Sequence, residues 1–267
     1  MDELNLSDEP IAVGRTSEVY ALGEDRVVKL LRDGFPKDMI DLEAAKTAAA
    51  HEAGVPAPAV HGTVEVDGRP GIIVDRVDGD LLIDELVFEP MRIRSWARVF
   101  ADTHVSTLSV SSQDLPDVRD VLEGKIRAAD ITEGQRSAAL TVLAAAPQDD
   151  AVLHGDFHPA NIVVTADGPV LIDWMDGARG HPGADIARTL WLLSPATLPP
   201  DRPNRRLFLM LQGMFRRPYL KQCSRQLGID RRVIDAWRLP VVAARLAEGV
   251  EWEEAALRTE LDRLTDR

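Results

Sequence analysis

The residues best equipped for chemistry lie in one stretch, His154-Gly155-Asp156-Phe157-His158-Pro159-Ala160-Asn161-Ile162-Val163-Val164, followed by Val170-Leu171-Ile172-Asp173-Trp174. Asp156, Asn161 five residues on and Asp173 twelve beyond that set two carboxylates and a carboxamide at fixed offsets. Between them runs a short hairpin pattern: apolar Ile162 to Thr165, a turn at Asp167-Gly168-Pro169, then apolar Val170 to Ile172. A hairpin returns the chain to its start, so this spacing predicts Asn161 and Asp173 side by side. Both offer oxygen to a hard cation, which suits magnesium and the phosphates it carries. Asp156 stands just ahead of them, placed to accept a proton from an attacking hydroxyl.

Other elements must supply the rest of such a site. Arg26 to Leu31 reads as a strand with one cation, Lys29, in its apolar middle. Burying a lone ammonium is costly, so Lys29 requires an anionic partner. A helix begins near Pro36 and runs to His51, stopping at Gly54 ahead of Pro56 and Pro58. Glu43 lies fourteen residues past Lys29, on the side carrying Ile40, Ala44 and Thr47; Asp38, Asp41 and Glu52 are alternatives on the same helix. Upstream, Ile11 to Leu22 reads as a strand, a turn at Gly14-Arg15-Thr16-Ser17 and a return strand through Val19 and Tyr20. Val64 to Val66, a turn at Asp67-Gly68 and Gly71 to Val74 form a second hairpin. It gives way to the charged segment Asp75-Arg76-Val77-Asp78-Gly79, where a hinge between two lobes is expected. From Asp80 the pattern is mainly helical. Ile93, Trp96, Val99, Phe100 and His104 mark a central helix within 91–108, then a polar loop over 109–120 and one or two helices over 121–146. His104 reads as a satisfied core histidine. Asp185, at a helix start, either caps that helix or holds the His154–Asn161 loop.

Composition bounds the function. The 267 residues are 45% hydrophobic with mixed charges, enough for one large domain or two packed lobes. A net charge of −13 argues against nucleic-acid or anionic-membrane binding and is compatible with a cationic substrate. Cys223 is the only cysteine, so no internal disulfide can form and a reducing compartment is expected. The acidic stretch Met1 to Pro10 lacks the apolar core of a signal peptide, and no apolar run reaches membrane-span length, which together predict a cytoplasmic protein.

His154 to Asn161 with Asp173 follows the H-x-D-x-x-x-x-N plus downstream Asp signature of kinase-type phosphoryl transfer. It departs from protein kinases in detail. Gly155 replaces the usual Arg, no Lys lies between Asp156 and Asn161, and Asp173-Trp174-Met175 stands in place of D-F-G. His-Gly-Asp-Phe-His-Pro-x-Asn-Ile followed by Ile-Asp-Trp resembles the aminoglycoside phosphotransferase and choline kinase family. The resemblance runs from Gly14 to the helix at Asp185, with the tail matching only in helical character.

That resemblance implies an α+β, bilobal, protein-kinase-like fold: a nucleotide-binding lobe over 1–77, with a small β-sheet and one helix, and a helical catalytic and substrate lobe over 78–267. It implies that Lys29 meets the α- and β-phosphates and that Glu43 orients it. Backbone N–H groups of the Gly14 turn, assisted by the Ser17 hydroxyl, would cover the phosphates. The carbonyl of Asp75 and the N–H of Val77 would meet the adenine edge beside Val74. Asn161 and Asp173 would hold Mg²⁺, and Asp156 would serve as the base. Met175 and His181 stand where acidic residues are common in the family, which removes two contacts to a cationic substrate. The basic segment 202–232 reads as a solvated helical face; were it to line the cleft, it would favour an anionic or peptide substrate. The last helix, with Glu251, Trp252, Glu253 and Glu254, lies where relatives close over the acceptor. The expected protein is therefore a phosphotransferase that uses ATP, with GTP left open by backbone hinge contacts. Its acceptor would be a hydroxylated small molecule, an aminoglycoside or another antibiotic or metabolite. A kinase of peptides or proteins and a catalytically silent nucleotide-binding module are the alternatives. The intact Lys29, Asp156, Asn161 and Asp173 argue against the latter.

Overall fold

The computed structural model describes residues 6–266. The first five residues of the acidic N-terminal stretch therefore lie outside the described residues.

The chain opens with β1 (Ala12–Val13), β2 (Ser17–Leu22) and β3 (Arg26–Leu31), followed by α1 (Asp38–Glu52), β4 (Val60–Val66) and β5 (Arg69–Asp75). The strands form an antiparallel sheet in the order β1-β2-β3-β5-β4. Strand β3 is central, and Val28, Leu30 and Leu31 are buried beside the partly covered Lys29. Glycine is required at one crossing: a Cβ on Gly71 would come within 2.5 Å of the Leu30 side chain and 3.0 Å of the Lys29 carbonyl. Helix α1 closes one face of the sheet by packing Ile40 with Leu31 and Ile72. It ends as the sequence predicts. Gly54 adopts φ +89°, and the Val55 N–H reaches back to the Ala50 carbonyl at 3.1 Å.

Beyond Asp75 the chain forms β6 (Asp80–Leu81), α2 (Leu82–Phe88), α3 (Ile93–Leu108), α4 (Val118–Ala128) and α5 (Glu133–Ala145). The segment over 121–146 resolves as two helices. Asp117 caps α4 one turn earlier than the apolar pattern suggests, and Thr132 with Gln135 forms a capping box that starts α5. Next come β7 (Ala151–Leu153), the hairpin β8 (Ile162–Thr165) and β9 (Gly168–Leu171), and β10 (Ala178–Gly180). Hairpin β8–β9 joins β6 in a three-stranded sheet, while β7 pairs with β10. Helices α6 (Pro182–Leu192), α7 (Arg205–Leu227), α8 (Arg231–Ala236), α9 (Arg238–Leu246) and α10 (Glu251–Thr265) complete the fold. Their core gathers Phe100, Phe157, Trp174, Phe215, Tyr219 and Trp237, all fully buried. Cys223 lies within it, its thiol pushed up to about 12 by burial, which leaves it inert. Among the described residues no helix is long and apolar enough to cross a membrane.

Candidate active site

The β8–β9 hairpin does what its pattern demands. Ile162 faces Leu171, and the Ile172 N–H extends the ladder to the Asn161 carbonyl at 3.1 Å. Asn161 and Asp173 are thereby carried to the same end of the hairpin. Asp173 holds φ +66°, a left-handed conformation uncommon for a non-glycine residue. Its neighbour explains how that is sustained: Trp174 is fully buried and donates its indole N–H to the Leu171 carbonyl at 3.1 Å.

The sheet meets this hairpin through Lys29. Its ammonium donates to Glu43 at 2.6 Å and to Asp173 at 3.2 Å. Among the four acidic residues of α1, only Glu43 is buried; Asp38, Asp41 and Glu52 face outward. Burial works against the Lys29 charge, but the Asp173 and Glu43 carboxylates outweigh it and raise its pKa, so Lys29 stays cationic.

Asp156 sits on the other side of Asn161. The Asn161 amide nitrogen donates to the Asp156 carbonyl at 2.9 Å and to its carboxylate at 3.3 Å. The amide must be oriented this way, because its oxygen would repel both acceptors, and so its Oδ1 is left without an intramolecular partner. The hard oxygens of Asn161 and Asp173 thus remain to ligate a cation. No cluster of three His, Cys, Asp or Glu residues suited to a metal occurs among the described residues. Two protein ligands are what magnesium takes when phosphates complete its shell, so the donor set fits that ion.

Two residues that sequence reasoning left out complete the surroundings of Asp156. His158 places its Nε2 3.3 Å from Asp156 Oδ2. Its Nδ1 accepts the Ala160 N–H at 3.2 Å, which fixes the proton on Nε2 and aims it at the carboxylate. Arg188, on α6, is buried with its Nη2 3.7 Å from Asp156 Oδ1, and its Nε donates to the Gly155 carbonyl at 2.5 Å. Burial alone would raise the Asp156 pKa. The His158 hydrogen bond and the charge of Arg188 override it and hold the carboxyl far below the usual carboxylate range. Arg188 was legible in one respect, since it follows Asp185 at the i+3 spacing that shares a helix face.

Asp185 holds the loop instead of capping its helix. Its carboxylate accepts the N–H groups of His154 at 2.7 Å and Gly155 at 3.1 Å, while His181 caps α6. His104 is a core residue, bonded to Asp185 at 3.1 Å and to the Tyr219 hydroxyl at 2.7 Å. Gly155 has φ +77°, and a Cβ there would lie 2.1 Å from the Asp176 carbonyl oxygen. That approach explains why glycine stands where protein kinases carry Arg.

The remaining predicted positions are less tightly drawn in. Gly14 closes the β1–β2 turn by donating to the Ser17 carbonyl at 2.8 Å, and Ser17 is already the first, buried residue of β2. The Asp75 side chain is spent on the Ala59 N–H at 3.0 Å and on His61 at 2.6 Å, which leaves only its backbone for a ligand. Val77 lies just past β5, and its N–H has no acceptor among the described residues. Met175 and His181 do not line the cavity beside Asp156: the Met175 carbonyl accepts from Lys46 at 2.7 Å, and His181 is committed to its cap. Of the cations in the basic segment 202–232, only Arg202 reaches that cavity; Arg206, Arg217, Arg231 and Arg232 are exposed.

Residues 8–217 match the family described as "Phosphotransferase enzyme family", and the chain belongs to that family. A search of curated protein sequences finds no match. Among solved structures, a thermostable aminoglycoside phosphotransferase APH(4)-Ia in ternary complex with AMP-PNP and hygromycin B is 15% identical, with a TM-score of 0.66 over 98% of this chain and 94% of that one. An aminoglycoside-3'-phosphotransferase of type VIII is 19% identical, with a TM-score of 0.57 over 88% and 91%. A choline/ethanolamine kinase family protein from Mesorhizobium loti is 14% identical, with a TM-score of 0.56 over 98% and 88%. The fold is thus the α+β kinase-like fold of these structures, and the family to which the chain belongs makes it a phosphotransferase.

Proposed function

We propose that the protein moves the γ-phosphate of ATP, with GTP as an open second donor, to a hydroxyl of a small molecule such as an aminoglycoside or another antibiotic or metabolite. The observation that carries this reading is the gathering at one end of the hairpin of the Lys29–Asp173 ion pair and the Asn161–Asp156 hydrogen bond, with Asp156 bordering a cavity of about 340 Å³. That volume suits a small ligand. In this reading residues 1–77 form the nucleotide lobe and 78–267 the catalytic and substrate lobe.

Lys29, held by Glu43, would grip the α- and β-phosphates, with the Gly14 turn and Ser17 covering them. The Asp75 carbonyl and the Val77 N–H would receive the base. Asn161 and Asp173 would hold Mg²⁺, whose chemistry there is to neutralise charge on the phosphates. Asp156, kept ionised by His158 and Arg188, would orient the acceptor hydroxyl. So acidic a carboxylate is a weak base. It takes the proton late, once bonding to phosphorus has acidified the hydroxyl, as a loose transition state permits.

The test is phosphate transfer from ATP and, separately, GTP with Mg²⁺ across aminoglycosides, other hydroxylated antibiotics, amino alcohols and sugars, with Asp156→Asn as the blank. Turnover that vanishes in the variant supports the assignment. Failure of the wild-type protein to bind either nucleotide would sink it.

A further inference from the structure

The cavity beside Asp156 carries a chemical signature of its own. Its wall is largely apolar, with Ile83 and Leu86 from α2, Phe208, Leu211 and Phe215 from α7, and Trp252 from α10. Only two carboxylates touch it, Asp156 and Glu253, and both already have cationic or hydrogen-bonding partners in the protein. Asp156 is engaged by His158, Asn161 and Arg188. Glu253 is buried, accepting the Trp191 indole at 2.8 Å and the Arg245 guanidinium at 2.6 and 3.0 Å. A polycation entering here would find no free carboxylate for its ammonium groups.

Three guanidiniums border the same space: Arg15, Arg202 and Arg245. Arg245 is consumed by Glu253 and Glu248. Arg15 and Arg202 form no ion pair among the described residues. Arg202 lies over the Phe208 ring, its guanidinium carbon 4.0 Å from the centroid, and its Nε is buried with no acceptor. Across the same wall the Gln212 Oε1 is buried with no donor. An unmet donor and an unmet acceptor in an apolar wall each cost free energy that a ligand of matching polarity would recover. The chain carries a net charge of −13, yet the two cations free to meet a ligand in this cavity, Arg15 and Arg202, have no counterion among the described residues.

We infer that the acceptor is a hydroxylated amphiphile with an apolar body and an anionic group that Arg202 receives, and not a polycationic aminoglycoside. The inference rests on the phosphotransferase reading for what happens to the acceptor, but not for its binding. The apolar wall takes the body, Gln212 accepts a hydroxyl, and the reacting hydroxyl turns toward Asp156. Trp252 reports occupancy directly, because it forms part of the wall and is half-exposed.

The experiment uses a matched pair, phenyl β-D-glucuronide and phenyl β-D-glucoside, which differ by a carboxylate, with hygromycin B as the polycation. Binding to the full chain is titrated by tryptophan fluorescence without nucleotide, and phosphate transfer is then assayed with MgATP. The glucuronide should bind about tenfold more tightly than the glucoside, the scale of one charge-assisted hydrogen bond. Arg202→Gln should erase that difference, bringing the two affinities together, and hygromycin B should bind the wild-type chain more weakly than either. Tighter binding of hygromycin B, a charge preference that survives Arg202→Gln, or no binding of either glycoside at millimolar concentration would each overturn the inference. Selective glucuronide binding without nucleotide-dependent transfer would instead leave the inference standing and count against the phosphotransferase chemistry.

Discussion

The two sides of Asp156 are built on opposite plans. Toward the sheet, charge is matched residue by residue: Lys29 with Glu43 and Asp173, Asn161 with Asp156, Asp185 with the His154 and Gly155 amides. Toward α7 and α10 the wall is apolar, and Arg202 has no carboxylate. Under the proposed function, the difference would separate what the reaction demands from what recognition demands. Transfer of a phosphoryl group needs fixed charges in one geometry, held in advance so that none must reorganise. An acceptor pocket needs only a shape and a polarity, and helices of many sequences can supply those.

The sharpest way to break this comparison is at its seam. Asp156→Asn should lower turnover about 10² to 10⁴-fold on every acceptor while nucleotide affinity, measured by calorimetry, stays near wild type. A variant that keeps full turnover would place the base elsewhere. Next in size is the buried ionic support behind the seam. Arg188 joins Glu248 at 2.6 Å and approaches Asp176 and Asp156 at 3.7 Å, so Arg188→Met should cost about 3–5 kcal/mol in urea unfolding. Adding Glu248→Leu should recover part of that loss, because the stranded carboxylate is then removed.

A pH series sharpens the contrast further. Burial holds the His154 pKa below its ordinary value, so the folded chain resists protonating it, and stability should begin to fall as pH drops below about 6.5. In Glu248, Arg188 outweighs burial and the pKa lies below normal, as it does for Asp156 and for Asp185, which His104 assists. For such carboxylates the unfolded state binds protons first, so their stabilisation is present above about pH 4 and is lost below it. Chemical denaturation at stepped pH should show both falls, and Glu248→Gln should flatten the lower one.

The smallest effect belongs to the pocket side. Trp252→Ala removes an aromatic wall and the 3.1 Å bond from its indole to the Thr197 carbonyl. It should raise the acceptor KM by less than about tenfold with little change in kcat or in KM for ATP. A large fall in kcat would mean that the two sides are not separable.

Much of the catalytic side was readable in the sequence because it depends on local spacing. A two-strand return brings Asn161 to Asp173 in any context that forms the hairpin, and an ammonium in an apolar strand calls for a carboxylate on the neighbouring helix. Glu43 could be preferred over Asp38 and Asp41 because it shares a helix face with Ile40 and Thr47, which are also buried. His158 and Arg188 were missed for a physical reason. An imidazole in a turn and a guanidinium on a helix have many ordinary roles, and only their aim at Asp156 distinguishes them.

What the sequence by itself determined, then, is a placement set by hairpin return and helical period, Asn161 and Asp173 at one hairpin end beside Asp156 and Lys29 against Glu43, and with it the phosphotransferase family. Only the tertiary structure decided which guanidiniums are spent. Arg245 finds Glu253 and Arg188 finds Glu248 across helix packing, while Arg202 finds Phe208 and no carboxylate. Ion pairing acts over a few ångströms between side chains far apart in the chain. The packing of α6, α7, α9 and α10 therefore settles it, and no spacing along the sequence does.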